Sequence, residues 1–168
     1  MVTIKLNFLI NSNEVFLMDT GSAFDPKKHS IILLHGSGQS HVVWSLTTQY
    51  LSDQNYNVFA IDFPGHGNSE GESLKTIEEM AIWLDKVINK IGIKDLSIVG
   101  HSQGCLIALE YANRFPKNIK SIIFVAGSYD ASGGKALGAQ LFIDDVAAVS
   151  YTHLRAHETR GNLVCRLL

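Results

Sequence analysis

Four short apolar runs constrain this chain more than any other feature: Ile31 to Leu34, Val58 to Ile61, Leu96 to Val99 and Ile122 to Val125. Each is near-continuous rather than alternating and includes β-branched residues, the pattern of a strand buried on both faces. Between the second and third runs, Ile77, Met80, Ala81, Leu84, Val87, Ile88 and Ile91 fall on one helical face. Glu78, Glu79, Asp85, Lys86 and Lys90 fall on the other. Thr76 and Glu79 have capping-box spacing, and Gly92 stands where a glycine ends a helix. A second helix is expected from Gln103 to about Phe115, stopped by Pro116. This order predicts an α/β fold with right-handed crossovers and a mostly parallel sheet, whose functional groups sit on loops leaving the strand C-terminal ends. Ahead of it, Thr3 to Leu9 and Glu14 to Met18 alternate around Asn11-Ser12-Asn13, which predicts an antiparallel N-terminal hairpin.

With 168 residues, 46% of them hydrophobic, the chain can bury one core. A net charge of −2 and the lack of any block of like charges leave nothing to track a phosphate backbone, so nucleic acid is not an expected partner. No apolar run approaches the roughly 18 residues of a membrane span, and the N-terminus lacks the h-region and cleavage site of a secretory signal. The expected partner is a small-molecule substrate, not a membrane, in a cytoplasmic setting; the oligomeric state is left open. Cys105 and Cys165 are the two cysteines, without zinc-like spacing, so neither a metal site nor a cofactor is expected.

The third apolar run leads into Gly100-His101-Ser102-Gln103-Gly104, with the second helix following at once. A Ser held on so sharp a strand-to-helix turn has a strained backbone, and Gly100 and Gly104 supply the space that a Cβ would fill. The helix N-terminus favours developing negative charge beside it. A serine attacking a carbonyl also needs donors for the oxyanion: the backbone N–H of Gln103 is one candidate. The other comes from His35-Gly36-Ser37-Gly38-Gln39, where Gly36 and Gly38 allow close approach to a ligand and Ser37 N–H is the candidate donor. In Asp62-Phe63-Pro64-Gly65-His66-Gly67-Asn68-Ser69, Pro and Gly shape a turn, and Asp62 and Ser69 are expected to bond nearby backbone.

HGSGQ, DFPGHGNS and GHSQG, in that order, resemble the α/β-hydrolase superfamily, and the resemblance covers about residues 1 to 127. It implies the α/β-hydrolase fold, Ser102 as nucleophile, and the backbone N–H groups of Ser37 and Gln103 as the oxyanion hole. It also implies an acid and then a base His on later strands. Asp130 follows the fourth run at a position some relatives use for the acid, while Asp144 and Asp145 fall in an expected lid helix. Only His153 and His157 come after the elbow, and both lie in the last eighteen residues, which read unlike the rest of the chain, so neither is taken as the base.

The last eighteen residues carry three of the four Arg and none of the ten Lys. That switch resembles translated adapter sequence, so residues 1–147 are read as the N-terminal part of an α/β-hydrolase domain, truncated after its sixth strand, and 148–168 as a non-native tail. The expected function is hydrolysis of ester, lactone or C–C bonds of small carbonyl substrates through an acyl-enzyme, with this fragment inactive for want of base and acid. The alternative is a lyase, acyltransferase or ligand-binding protein on the same fold. Without later strands the fourth run would be a bare edge, and aggregation is the expected consequence.

Among the remaining side chains, His101 is expected to line the pocket with its ring turned from Ser102, and His35 and His66 to hold loops by hydrogen bonds. His29 and His41 are read as ordinary loop residues. Cys105, Phe63, Trp44 and Phe124 are read as packing residues.

Overall fold

In the computed structural model, residues 8–19 and 23–125 and the backbone of 165–166 are described. The four apolar runs are strands: β4 (Ser30–Leu34), β5 (Asn57–Ile61), β6 (Leu96–His101) and β7 (Ile119–Val125). They pair in parallel in the order β5-β4-β6-β7. Successive strand residues face opposite sides of a sheet, and both sides here are covered. Ile32, Leu34, Phe59, Ile61, Leu96 and Ile98 pack with Met80, Leu84, Val87, Ile107 and Tyr111 on one side. Ile31, Leu33, Val58, Ala60 and Val99 pack with Phe16, Met18 and Trp44 on the other. Burial on both faces is why β4, β5 and β6 read as continuous apolar runs, while in β7 Ile122 is buried and Ile123, Phe124 and Val125 are half-buried against the two sides; each fully buried Leu or Ile contributes roughly 1.5–3 kcal/mol.

The amphipathic stretch forms α2 (Ile77–Ile91), preceded in the chain by α1 (Ser45–Asp53). At its start Thr76 Oγ1 accepts from Glu79 N–H at 3.0 Å, and Glu79 Oε2 accepts in return from Thr76 N–H at 3.3 Å. At its end Gly92 adopts φ +85°, the left-handed cap that a glycine takes without steric penalty. The second expected helix is α3 (Gln103–Arg114), ending just before Phe115-Pro116.

The N-terminal antiparallel hairpin is present, over a shorter stretch than the two alternating segments. β1 (Phe8–Ile10) and β2 (Asn13–Val15) pair as a separate ribbon, closed by Asn11 and Ser12 at φ +51° and +69°. After Phe16 the chain turns away, and β3 (Leu17–Met18) joins the main sheet antiparallel to β5. Phe16 is the pivot: its N–H donates to Ser69 Oγ and its carbonyl accepts from Asp62 N–H, so neither bonds within the ribbon. Residues 3–7 of the first segment lie outside the described residues.

One expectation needs correction: the fourth run is not a bare edge. The outer side of β7 carries β8 (Cys165–Arg166), antiparallel, with Ile123 opposite Arg166 and Phe124 opposite Cys165. A row of unpaired N–H and C=O groups attracts any extended segment, and here two of the seven residues of β7 have one.

Among the described residues, no helix is long and apolar enough to cross a membrane, and no group of three or more His, Cys, Asp or Glu could hold a metal ion.

Candidate active site

Ser102 is the single residue between β6 and α3. Its backbone lies at φ +51°, ψ −113°, a region essentially reserved for glycine. The turn is held there from both sides. Ser102 N–H donates to Val125 O of β7 at 3.1 Å, and Ser102 O accepts from Cys105 N–H at 3.0 Å. A Cβ on Gly100 would sit 2.5 Å from the carbonyl carbon and oxygen of Gly104, and one on Gly104 would sit 2.5 Å from Leu34 O. Both glycines are therefore required by close backbone approach, as the spacing in the sequence implied. Ser102 itself is exposed. Gln103 opens α3, so its N–H has no partner within the helix and points, with the positive end of the helix dipole, toward the elbow.

The loop after β4 is drawn against this turn. A Cβ on Gly36 would lie 3.1 Å from Ser102 Cβ and 3.0 Å from His101 Nδ1. Gln39 closes the loop twice: its N–H donates to Gly36 O at 3.2 Å, and its Oε1 accepts from Gly36 N–H at 3.0 Å. Gly38 adopts φ +66°, and Ser37 and Gly38 are exposed at the tip. The structure thus brings together Gly36, His101, Ser102 and Gln103, with Ser37 and Gly38 on the same short loop. Asp130 lies outside the described residues, as do Asp144, Asp145, His153 and His157.

His101 is half-buried; its Nδ1 bonds Gln39 Oε1 at 2.9 Å and its ring meets Trp44 edge-on at 6.4 Å. Among the described residues no histidine is hydrogen-bonded to Ser102 Oγ.

The DFPGHGNS loop is structural, and its main partner was not legible in the sequence. Asp62 is fully buried; Oδ1 accepts from His41 N–H at 2.6 Å and Oδ2 from Asn68 N–H at 2.8 Å. His41 Nδ1 lies 2.7 Å from Oδ2, so His41 is not an ordinary loop residue: it satisfies a buried carboxylate and fixes the 3₁₀ turn His41–Trp44 to the end of β5. Ser69 Oγ donates to Asp62 O at 2.6 Å, the backbone bond expected for it.

His35 is buried between the two loops. Its Nδ1–H donates to Gly36 O at 2.8 Å and its Nε2 accepts from Phe63 N–H at 3.3 Å. Burial pushes its pKa below the ordinary imidazole value, and the Gly36 bond opposes this only in part. His66 Nδ1 bonds Pro64 O at 3.1 Å. Cys105 is buried, with Sγ 3.1 Å from Gly100 O; burial pushes its thiol up, which makes it a packing residue rather than a nucleophile.

His29 also departs from the reading as a plain loop residue. Its Nδ1 pairs with Asp95 Oδ1 at 3.2 Å and its Nε2 with Ser97 Oγ at 2.9 Å, and Ser97 Oγ reaches Ser121 Oγ at 2.6 Å. The residue types match a catalytic triad, but Ser97 is only 8% exposed and lies within β6, not on a turn. The relay ties the start of β4 to β6 and β7. A cleft of about 360 Å³ lined by Asp85, Asn89, Tyr111 and Arg114 lies at the far end of α3 from Ser102.

Comparison with known proteins agrees with this geometry. The family model for the alpha/beta hydrolase fold matches residues 29–148. The chain is 30% identical over 135 residues to probable lysophospholipase BODYGUARD 1 of Arabidopsis thaliana, covering 76% of this chain and 29% of that protein. It is 33% identical over 109 residues to putative esterase/lipase 2 of Mycoplasma pneumoniae, covering 62% of this chain and 40% of that protein. Among solved structures, the thioesterase domain from the curacin biosynthetic pathway is similar with a TM-score of 0.68 at 27% identity, over 84% of this chain and 52% of that one. The chain therefore spans less than half the length of these two curated relatives. A strand-to-helix turn around Ser102, a parallel sheet in the order β5-β4-β6-β7 and a family match over most of the chain lead to one conclusion: this chain belongs to the alpha/beta hydrolase fold family.

Proposed function

We propose that Ser102 is the nucleophile of a serine hydrolase acting on ester, lactone or C–C bonds of small carbonyl substrates through an acyl-enzyme. The observation that carries this reading is the backbone of Ser102 at φ +51°, on a turn that two close backbone contacts leave no room to relax. Strain of about 1–3 kcal/mol at a non-glycine residue persists where the surroundings over-determine it, and such residues cluster at active sites. In this reading Ser102 Oγ attacks the carbonyl carbon and passes its proton to a base. The oxyanion takes hydrogen bonds from Ser37 and Gln103 N–H, the leaving group departs with a proton, and water releases the acyl group. Asp130 is the proposed acid. Relatives named as lysophospholipase, esterase/lipase and thioesterase support an acyl-transfer chemistry of this kind.

Slow turnover by this chain is part of the proposal, since the base histidine is expected on a strand later than those described. Where triad members are missing, the oxyanion hole and binding still leave roughly 10³–10⁴-fold over water. The test is acylation by p-nitrophenyl acetate, followed by mass spectrometry of digested protein. Ser102 should be acylated faster in the folded chain than in urea, faster than Ser37, and not at all in Ser102→Ala. Equal rates in folded and unfolded protein would overturn the proposal.

A further inference from the structure

We infer that Gln39 is a positioning residue that locks the proposed oxyanion loop to the elbow, and that it does so by fixing the proton of His101 on Nδ1. The inference rests on the reading of Ser102 as nucleophile and Ser37 N–H as oxyanion donor, but the geometry behind it is independent of that chemistry. Gln39 Oε1 accepts from Gly36 N–H at 3.0 Å and meets His101 Nδ1 at 2.9 Å. A backbone N–H can only donate, which identifies the atom it meets as the amide oxygen, not the nitrogen. That oxygen can only accept, so the nitrogen of His101 facing it carries a hydrogen. Both lone pairs of one oxygen are thus used, one on the loop and one on the residue immediately before Ser102.

The bond to Gly36 decides which amides remain for an anion. Gly36 N–H is consumed by Gln39, while the next amide, that of Ser37, lies beyond the bond. The loop cannot slide, because the Gln39 backbone N–H returns to Gly36 O at 3.2 Å, making the closure reciprocal. Nor can Gly36 be replaced without disturbing all three partners: its Cβ would meet Gln39 Oε1 at 2.8 Å, His101 Nδ1 at 3.0 Å and Ser102 Cβ at 3.1 Å. Trp44 packs edge-on to the His101 ring. The side chain of Ser37 has no part in this arrangement.

The experiment uses the full chain with two readouts. The first is the side-chain ¹⁵N spectrum of His101, assigned by comparison with His101→Phe. The wild-type chain and Gln39→Glu, which keeps an acceptor oxygen in the same place, should both show a proton on Nδ1. Gln39→Leu, similar in volume but without an acceptor, should lose that signature. The second is the rate of Ser102 acylation by p-nitrophenyl acetate. It should fall about 10- to 100-fold in Gln39→Leu, less than the loss of a whole oxyanion donor, and stay within about threefold of wild type in Gln39→Glu. An unchanged Nδ1 proton in Gln39→Leu, or wild-type acylation in that variant, overturns the inference. If Ser102 proves unreactive in the wild-type chain, the proposed function fails, while the ¹⁵N readout still decides the lock. Should Gln39→Leu not fold, an absent Nδ1 proton in the wild-type chain overturns the lock, and its retention in wild type and Gln39→Glu supports it.

Discussion

Replacing Ser102 by glycine should make the protein more stable while removing the proposed nucleophile. The backbone at φ +51°, ψ −113° is open to glycine but costs a residue with a Cβ about 1–3 kcal/mol. Glycine brings a greater loss of chain freedom on folding, roughly 0.5–1 kcal/mol. Little else changes, since Ser102 is exposed and its Oγ bonds none of the described residues. The difference favours Ser102→Gly by about 1 kcal/mol, or a rise in Tm of roughly 2–4 °C for a chain of this size. Ser102→Ala is the control: it removes the same oxygen but keeps the Cβ and hence the strain, so its Tm should stay within about 1 °C of wild type. Thermal and urea unfolding followed by circular dichroism would measure all three, with acylation assayed in parallel. A Ser102→Gly variant no more stable than Ser102→Ala would refute the claim that the elbow stores strain at this residue.

Other substitutions separate close approach from conformation. Gly104→Ala places a Cβ 2.5 Å from Leu34 O, a backbone atom that cannot yield, and should lower stability by about 3 kcal/mol in urea titrations. Gly38→Ala meets nothing within 4 Å and pays only for φ +66°, about 1–2 kcal/mol. Asp62→Asn turns an amide NH₂ toward groups that donate to the carboxylate, and should cost about 3 kcal/mol by the same measurement. His35 sets a pH dependence. Its folded pKa lies below the ordinary 6.5, so the unfolded chain binds the proton first as pH falls. The stability it contributes is complete above about pH 6.5 and declines below it; the slope of Tm between pH 7 and 5 should be shallower in His35→Gln.

Much of the fold was readable because its central strands β4, β5 and β6 are buried on both faces and its best helix carries capping signals at both ends. The elbow was readable because sterics demand small residues two positions before and after Ser102. What escaped the sequence depends on long-range polar contacts. Nothing near His41 announces that its ring will meet Asp62, 21 residues later. α1 escaped for a different reason: Thr48 is its one buried residue and Leu46 and Tyr50 are exposed, so it has no apolar stripe to read. The split of the second N-terminal segment after Val15 follows from Ser69 and Asp62 capturing Phe16, again a contact between distant residues.

The bond from Ser102 N–H to Val125 O also sets an order of events during synthesis. The acceptor comes 23 residues after the donor, on the strand that closes this side of the elbow. A nascent chain that has released β6 and α3 but not yet β7 lacks the partner that holds Ser102 in its strained geometry. Reactivity at Ser102 should therefore arrive late and abruptly, when β7 docks, and a ribosome-bound chain stalled short of that strand should be protected from acylating agents.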